Sequence, residues 1–466
     1  MKVVIVGAGI TGLSLAYQLE KRGLTDITVL EASDRVGGNL CTRRHGEFLL
    51  DLGPDAWVAQ KPQTAALARE LGLGEQLIAP LPGASQVHLV ARGALTPLPA
   101  GMVLGVPTEW SPFLRSPLFS ARAKVRVLLE PYVPRVLSSD PEQDMAVGAF
   151  AARRLGHELT DKLVAPLLGG IFAGSAWDLS LRTAFPQMIQ GEAEHGSLVR
   201  AFRARRRAQG ATSPFLSLRD GMCSLTDALV AKLTTTSLRT STPVRRVAPS
   251  TNGYTVEHEG AAIEARHVVF AGPAHVPTSV LVLPSLLPRL EALQFGSAAT
   301  VLLGFRAADV VLPSGSGFLV PPTERSARFG GSAREGLRLL AGTFVSSKWP
   351  GRVPRDYVLI RVFFGGPDPD ALELDDATLI ARALTDLRAL LSINGEPVLR
   401  DVCRLRGGSP RPSPGHLERV KALRTALASH PGLHMIGNGY DGSGISDCIR
   451  QAEVAAETIT ASRMDP

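Results

Sequence analysis

The chain is 466 residues long, more than one hydrophobic core accommodates, so two or three domains are expected. Hydrophobic residues make up 45% and charged residues 20%, the balance of a globular protein rather than a disordered one. The net charge of +7 raises a nucleic-acid partner, but the arginines are scattered and the one dense run, 203–207, lacks interleaved aromatics. That run reads as a solvated helix face, and no nucleic acid is expected as a partner.

Lys2-Val3-Val4-Ile5-Val6 is a β-branched run of the kind that forms a buried parallel strand. Met1 leads straight into it, so no secretory signal peptide is expected, and a reducing cytoplasm is the simplest compartment. Gly7-Ala8-Gly9-Ile10-Thr11-Gly12 follows at once. Gly7 permits a tight turn, Gly9 lets the backbone approach a pyrophosphate, and Gly12 lets the next helix pack on the strand. Leu13, Leu15, Ala16 and Leu19 then recur at helical spacing, which aims a helix N-terminus at the phosphates. Ile27-Thr28-Val29-Leu30 reads as a second strand ending in Glu31, a carboxylate placed to accept a ribose 2′-hydroxyl and to repel a 2′-phosphate. Strand, glycines, helix and acid at these spacings identify a dinucleotide site, and one that disfavours NADP.

Beyond Asp51-Leu52-Gly53-Pro54 the chain leaves the nucleotide fold. Residues 62–77 read as a helix and 86–98 as a hairpin-like pair turning at Arg92-Gly93. From 100 to 207 the pattern is helical, broken by Pro and Gly. Within it, Phe113, Leu114, Leu118, Phe119, Val125, Val127, Leu128, Leu129, Tyr132 and Val133 mix with Arg115, Arg122, Lys124, Arg126 and Arg135. Such a segment suits a membrane interface, and equally the core faces of a helical domain. No run of eighteen apolar residues exists to span a bilayer. A helix is expected over 221–233, then a β-meander over 244–264 turning at Asn252-Gly253. His267-Val268-Val269-Phe270-Ala271 is a second buried strand ending at Gly272-Pro273. Strands follow over 298–305, 317–320, 339–344 and 357–364, then a helix over 375–391. Leu433-His434-Met435-Ile436 runs into a Gly-rich loop, and 446–461 is the closing helix. The four cysteines, Cys41, Cys223, Cys403 and Cys448, lie far apart with no CxxC or Cys/His spacing, so neither a disulfide scaffold nor a metal site is expected.

Several segments carry a family resemblance. Arg35-Val36-Gly37-Gly38 resembles the second flavin motif of the monoamine oxidase, phytoene desaturase and protoporphyrinogen oxidase superfamily. Asp51-Leu52-Gly53-Pro54-Asp55 is similar to its acid–x–Gly-Pro loop. Gly169-Gly170-Ile171-Phe172-Ala173-Gly174, continuing through Leu179-Ser180-Leu181-Arg182 to Phe185-Pro186, resembles a signature of the protoporphyrinogen oxidases. Gly437-Asn438-Gly439-Tyr440-Asp441-Gly442-Ser443-Gly444-Ile445-Ser446-Asp447-Cys448-Ile449, with Pro414-Gly415-His416-Leu417 upstream, resembles their C-terminal flavin loop. The chain is thereby identified as a member of the oxygen-dependent protoporphyrinogen or coproporphyrinogen oxidases.

A nucleotide fold opening the chain and a second Gly-rich strand–loop–helix closing it suggest one domain built from distant segments. With the resemblance this implies an α/β fold: a Rossmann-like FAD-binding domain assembled from 1–55, 208–275 and 405–466. A mixed-sheet substrate domain would comprise 56–98 and 276–404, and a helical, membrane-associating domain 99–207. It implies FAD held non-covalently by Gly7, Gly9, Ile10, Thr11, Gly12, Glu31, Ala32, Arg35, Gly37, Gly38, Gly53, Pro54, Asp55, Val244, Ala271, Gly437, Asn438, Gly444, Ile445 and Ser446. Asp447, in the first turn of the closing helix, would cap it or bond the cofactor. The implied reaction is six-electron oxidation of protoporphyrinogen IX to protoporphyrin IX in three flavin cycles, each reoxidised by molecular oxygen to peroxide. Coproporphyrinogen III to coproporphyrin III is the alternative, or another oxidase or desaturase of the superfamily. Macrocycle walls are expected from Phe172, Gly174, Leu319, Phe344, Phe363 and Phe364. Neither Gln86-Val87-His88 nor Asp55 is basic, so a propionate partner is not identified; Arg92 is either that partner or an exposed turn residue. No catalytic base stands out. Ser297-Ala298-Ala299-Thr300-Val301-Leu302-Leu303 lacks the lysine of flavin amine oxidases, which disfavours oxidative deamination. An idle flavoprotein that binds or delivers a tetrapyrrole is the rival of another class. Peripheral association with the inner face of the cell membrane, and a homodimer, are both compatible with the sequence.

Overall fold

The computed structural model describes residues 1–135, 144–172, 174–209, 214–326, 336–366 and 369–462. Five short strands form a fully parallel sheet in the order Ser237–Arg239, Ile27–Leu30, Val3–Val6, His267–Ala271, Leu433–Ile436. The first and last thirds of the chain therefore meet in one sheet. One face is covered by helices Ile10–Lys21, Cys223–Lys232 and Ile445–Ala461, whose Leu13, Leu225 and Ile449 are fully buried. The other face carries the antiparallel meander Val244–Ser250, Gly253–His258, Ala261–Ala265 and helix His416–Leu427. Both faces being covered explains why the strands read as unbroken apolar runs rather than alternating ones.

The second sheet is mixed and seven-stranded, in the order Leu399–Pro410, Phe295–Arg306, Tyr357–Gly365, Ala341–Phe344, Gly317–Leu319, Val87–Ala91, Ala94–Pro97. Helix Asp376–Leu390 covers one face, started by an Asp375 side chain that accepts from the Thr378 amide. Against the other face lies part of a helical layer running from Trp110 to Gln209. Its core holds a fully buried ionic knot: Arg154 donates Nε to Glu130 at 2.8 Å and lies 3.3 Å from Glu192.

Packing sets the segment boundaries differently from the sequence expectation. The 62–77 helix ends at Glu70, because Gly72 takes φ +85° just past its end, and residues 77–78 pair as a strand with 217–218. Trp57, Ala65, Leu67, Ala68, Leu71 and Leu73 share the core of Leu13 and Ile449, so helix Gln63–Glu70 packs with the nucleotide-type sheet, while Ala56 and Ile78 border the cluster of Leu302 and Leu359. Helices His275–Val280 and Leu287–Glu291 likewise pack beneath the meander. Strand Leu399–Pro410 crosses the expected boundary at 404/405 without interruption. The helical span also contains a small hairpin, Met102–Val103 with Val106–Pro107, turned by Leu104 and Gly105 at positive φ.

No helix among the described residues is long and apolar enough to cross a membrane. Nor do three or more His, Cys, Asp or Glu side chains among them converge on a metal-sized site.

Candidate active site

The cleft begins where strand Val3–Val6 enters helix Ile10–Lys21. A Cβ on Gly12 would sit 2.0 Å from the Gly7 carbonyl oxygen, and one on Gly7 3.2 Å from the Ala271 oxygen. Strand, helix and the end of the neighbouring strand at Ala271 thus touch backbone to backbone. Gly9 differs: a Cβ there would meet only Gly38 Cα at 3.9 Å, so within the protein alone it has room. Gly9 and Gly37 pair as an isolated parallel bridge, which brings the second glycine motif over the first. The amides of Ile10, Thr11 and Gly12 have no acceptor among the described residues, as expected of a helix N-terminus open to an anion.

Glu31 leaves its strand at the cleft edge. Its carboxylate accepts from the Ala8 amide at 2.8 Å and from the Ser33 amide at 2.9 Å, which fixes its orientation while leaving lone pairs for a ribose. Ala32 is exposed beside it. The Thr242 amide donates to the Glu31 carbonyl at 2.8 Å, so Val244 opens the meander next to the acid. Arg35 is turned inward onto its own loop, donating to the carbonyls of Val36, Gly38 and Leu40; it shapes the Gly37-Gly38 turn.

At the other end, Gly437 follows strand Leu433–Ile436, and its amide and carbonyl are both held by the Gln451 side chain. Asn438 Nδ2 donates to the Gly408 carbonyl at 2.8 Å, and Asn39 Nδ2 donates to the same oxygen at 3.0 Å. A Cβ on Gly53 would lie 1.7 Å from the Asn39 oxygen, which packs the Gly53-Pro54 loop against that tie. Gly444 caps helix Ile445–Ala461; the amides of Ile445 and Ser446 have no acceptor among the described residues. Ser446 Oγ lies 2.6 Å from Thr64 Oγ1. Asp447 is engaged by the protein: Oδ2 accepts from the Gly444 amide at 3.1 Å and from Lys61 Nζ at 2.6 Å. It caps the helix.

Asp55 sits below, accepting from Lys348 Nζ and Trp349 Nε1, each at 2.8 Å. Burial pushes its carboxyl up, but the Lys348 ammonium and the Arg361 guanidinium outweigh it and hold the group down to about 2. Asp55 is therefore ionised throughout the working range and too weak a base for proton abstraction near neutrality. Arg361 is buried, donates to the Leu52 carbonyl at 3.0 Å, and stacks 4.8 Å from the Phe363 ring centroid. Lys348 and Arg361 were not singled out in the sequence. The available signal was Arg361, the one charge inside the apolar strand Tyr357–Gly365.

The helix containing the Gly169-Gly170 pair passes through a π-helical turn at Thr160–Val164 and ends at Phe172, a break in pitch common near functional sites. Phe172 shares one apolar layer with Leu319 and Phe363, facing the cleft side of the seven-stranded sheet. Gly174 follows; Ala173 lies outside the described residues. Phe344 and Phe364, expected in the same wall, do not join it: both are fully buried in the opposite layer, beneath helix Asp376–Leu390. Successive strand residues face opposite sides, so Phe363 and Phe364 exclude each other from one wall. Arg92 turns the hairpin at φ +55°, exposed, its amide held by Glu324; it is a turn residue.

The model of the flavin containing amine oxidoreductases matches residues 10–460. The chain belongs to that family. Within it, the chain is 33% identical over 470 residues to a coproporphyrinogen III oxidase of Bacillus subtilis, covering 97% of this chain and 96% of that one. It is 26% identical to protoporphyrinogen oxidase 2 of Arabidopsis thaliana, over 98% of this chain and 93% of that one. A crystal structure from Exiguobacterium sp. 255-15, provisionally named a protoporphyrinogen oxidase, superposes with a TM-score of 0.87 at 33% identity and 99% coverage of both chains. The expected fold class and family are thereby established, and the cofactor of the family is FAD.

The residues present fit that cofactor. Two helix N-termini with open amides face the cleft, the Gly9 backbone is left uncovered by the protein between the two glycine turns, and Asn438 Oδ1 is buried without a partner among the described residues. Cys448, by contrast, is buried in the sheet–helix core and its thiol is pushed up to about 11 by burial, which makes it inert toward a covalent flavin link.

Proposed function

We propose that this chain oxidises a porphyrinogen to the corresponding porphyrin, with coproporphyrinogen III as substrate and molecular oxygen as electron acceptor. What carries the reading is the match along 97% of the chain to a coproporphyrinogen III oxidase. The protoporphyrinogen oxidase at 26% identity makes protoporphyrinogen IX the second candidate. Bound in the cleft, FAD supplies the two-electron acceptor for hydride removed from the substrate. The chain's own residues do the rest. Amides of Ile445 and Ser446 present the positive end of a 17-residue helix to negative charge developing in the cleft. Phe172, Leu319 and Phe363 give the macrocycle an apolar wall that excludes water. With Asp55 held ionised by Lys348, protons lost from the pyrrole system leave through solvent or by tautomerisation. Six hydrogens leave in all, so three O2 become three H2O2 per porphyrin.

The cofactor-binding set proposed is Gly7, Gly9, Ile10, Thr11, Gly12, Glu31, Ala32, Gly37, Gly38, Val244, Ala271, Gly437, Asn438 and Gly444–Ser446. Arg35, Gly53, Pro54 and Asp55 support it from behind. A surface stripe extends the proposal to a membrane surface. Val125, Leu128, Leu129 and Tyr132 follow helical spacing, are all exposed, and lie among Arg115, Arg122, Lys124 and Arg135.

The deciding experiment is anaerobic mixing of the yellow holoprotein with each porphyrinogen, followed near 450 nm. Bleaching by coproporphyrinogen III, with porphyrin fluorescence and peroxide on admitting air, is expected. Bleaching by neither, with flavin still reducible by dithionite, moves the chain to another oxidase of the family.

A further inference from the structure

A cavity of about 430 Å³ opens beside the flavin loop, lined by Phe172, Trp177 and Leu179 together with Gln294 and Arg411. Phe172 also lines a small neighbouring crevice with Gly439 and Gly442 of that loop, which sets the cavity next to the flavin loop. The Arg411 guanidinium has no hydrogen-bond or ion-pair partner among the described residues, although the side chain is half-buried. Asp178 stands on the same rim, exposed, and makes no ion pair with it.

The backbone that carries Arg411 is fixed on both sides. Its amide donates to the Gln294 carbonyl at 2.9 Å, and the Ser180 amide donates to the Pro412 carbonyl at 2.6 Å. Asp144 then ties both strands of this ledge, accepting from Ser180 Oγ at 2.7 Å and from the Gly415 amide at 3.0 Å. Arg411 packs directly on Gly174, where a Cβ would lie 2.9 Å from its Nε, so the glycine is what lets the side chain lie where it does. A half-buried guanidinium without a partner, on a tied backbone beside an aromatic wall, is costly until an anion meets it, and its planar fork matches a carboxylate.

We propose that Arg411 is a carboxylate anchor of the substrate site, holding one propionate of a porphyrinogen in this cavity while the macrocycle lies past Phe172 against the wall it forms with Leu319 and Phe363. This rests on the porphyrinogen reading above. Coproporphyrinogen III carries a propionate on every pyrrole ring, so it presents a carboxylate here in any in-plane orientation. Protoporphyrinogen IX has two, on adjacent rings, and in half its orientations would leave the cation facing a vinyl group. Arg411 is thus a specificity residue for the tetracarboxylate.

The test titrates coproporphyrin III, and its neutral tetra-amide, into the FAD-loaded wild type and into R411Q, R411K and G174A, by fluorescence. R411Q is expected to raise the Kd for coproporphyrin III about 10- to 100-fold, the worth of one charge-assisted pair in a partly dehydrated site. The tetra-amide should stay within about twofold, R411K should recover part of the loss, and G174A should resemble R411Q. An unchanged 450 nm flavin band in each variant shows that the fold is intact. Equal loss for both ligands, no change in R411Q, or no binding of coproporphyrin III by the wild type overturns the anchor. Arg411-dependent binding in a wild type that oxidises neither porphyrinogen overturns the proposed function and leaves the anchor standing.

Discussion

Two glycines of one motif answer to different constraints, and substitution separates them. At Gly12 the obstruction is the protein itself: G12A forces a methyl into the Gly7 carbonyl, and should cost about 3 kcal/mol of stability as well as the cofactor. At Gly9 the protein has room, and φ is −74°, which any residue adopts. G9A should therefore keep the thermal midpoint of the apoprotein within about a degree or two, since surface-like changes without clashes stay near ±0.5 kcal/mol. Yet its flavin-to-protein absorbance ratio should fall sharply, because the methyl points where the pyrophosphate must approach. Equal flavin content in G9A and wild type would remove Gly9 from the site. These glycines were legible because their partners are local in sequence. Lys348 and Arg361 were not: each finds Asp55 across some 300 residues, and a single sequence carries no record of that meeting. The Phe363-Phe364 pair failed for another reason. Composition marks both as wall material, but only the register of the strand says which one faces the cleft.

Between neighbouring elements, two buried contacts make separate demands. His267 and His434 stack on adjacent parallel strands, Nδ1 to Nε2 at 3.1 Å. Burial, then the neighbouring imidazole, lowers His434 from 6.5 to about 4, and burial lowers His267 too. The folded state thus binds protons more weakly than the unfolded chain. The pair contributes stability that is complete above about pH 6.5 and is lost as pH falls from there toward 4, by roughly 2–3 kcal/mol. Thermal melts at pH 7 and pH 5 should show this drop, and H434N should show a smaller one; parallel pH profiles would show that the pair does not contribute. In the helical layer, R154M leaves Glu130 and Glu192 buried without their cation, and should destabilise by about 3–5 kcal/mol as measured by urea unfolding. The element types themselves were readable from periodicity, including the closing helix to within one residue of Ile445–Ala461. Their allegiance was not. Residues 63–70 look the same whether they cover one sheet or the other, and only packing against Ile445–Ala461, with Glu70 bound by Tyr17 and Lys21, decides.

For the molecule as a whole, the exposed apolar–basic stripe of 114–135 should be visible in sedimentation with vesicles. Liposomes containing anionic lipid should carry the protein down at low salt and release it as ionic strength rises, whereas V125E/L129E should stay in the supernatant with full flavin content. Retention of the double variant on the same vesicles would remove the stripe from consideration. Denaturation should free yellow FAD from the polypeptide, since Cys448 lies buried in the core; flavin remaining with the precipitated chain would contradict this. The split architecture was legible from two glycine-rich strand–loop–helix units at opposite ends of the chain, because each is a local pattern. It has a consequence for synthesis. The first strand, Val3–Val6, needs His267–Ala271 on one side, and that strand in turn needs Leu433–Ile436. At roughly 5–20 residues per second, the growing chain holds an unpaired, wholly apolar strand edge for about ten seconds to a minute before its neighbour leaves the ribosome. During that interval the nascent protein depends on helix Ile10–Lys21, strand Ile27–Leu30 and whatever chaperone is at hand to keep that edge from pairing with another chain.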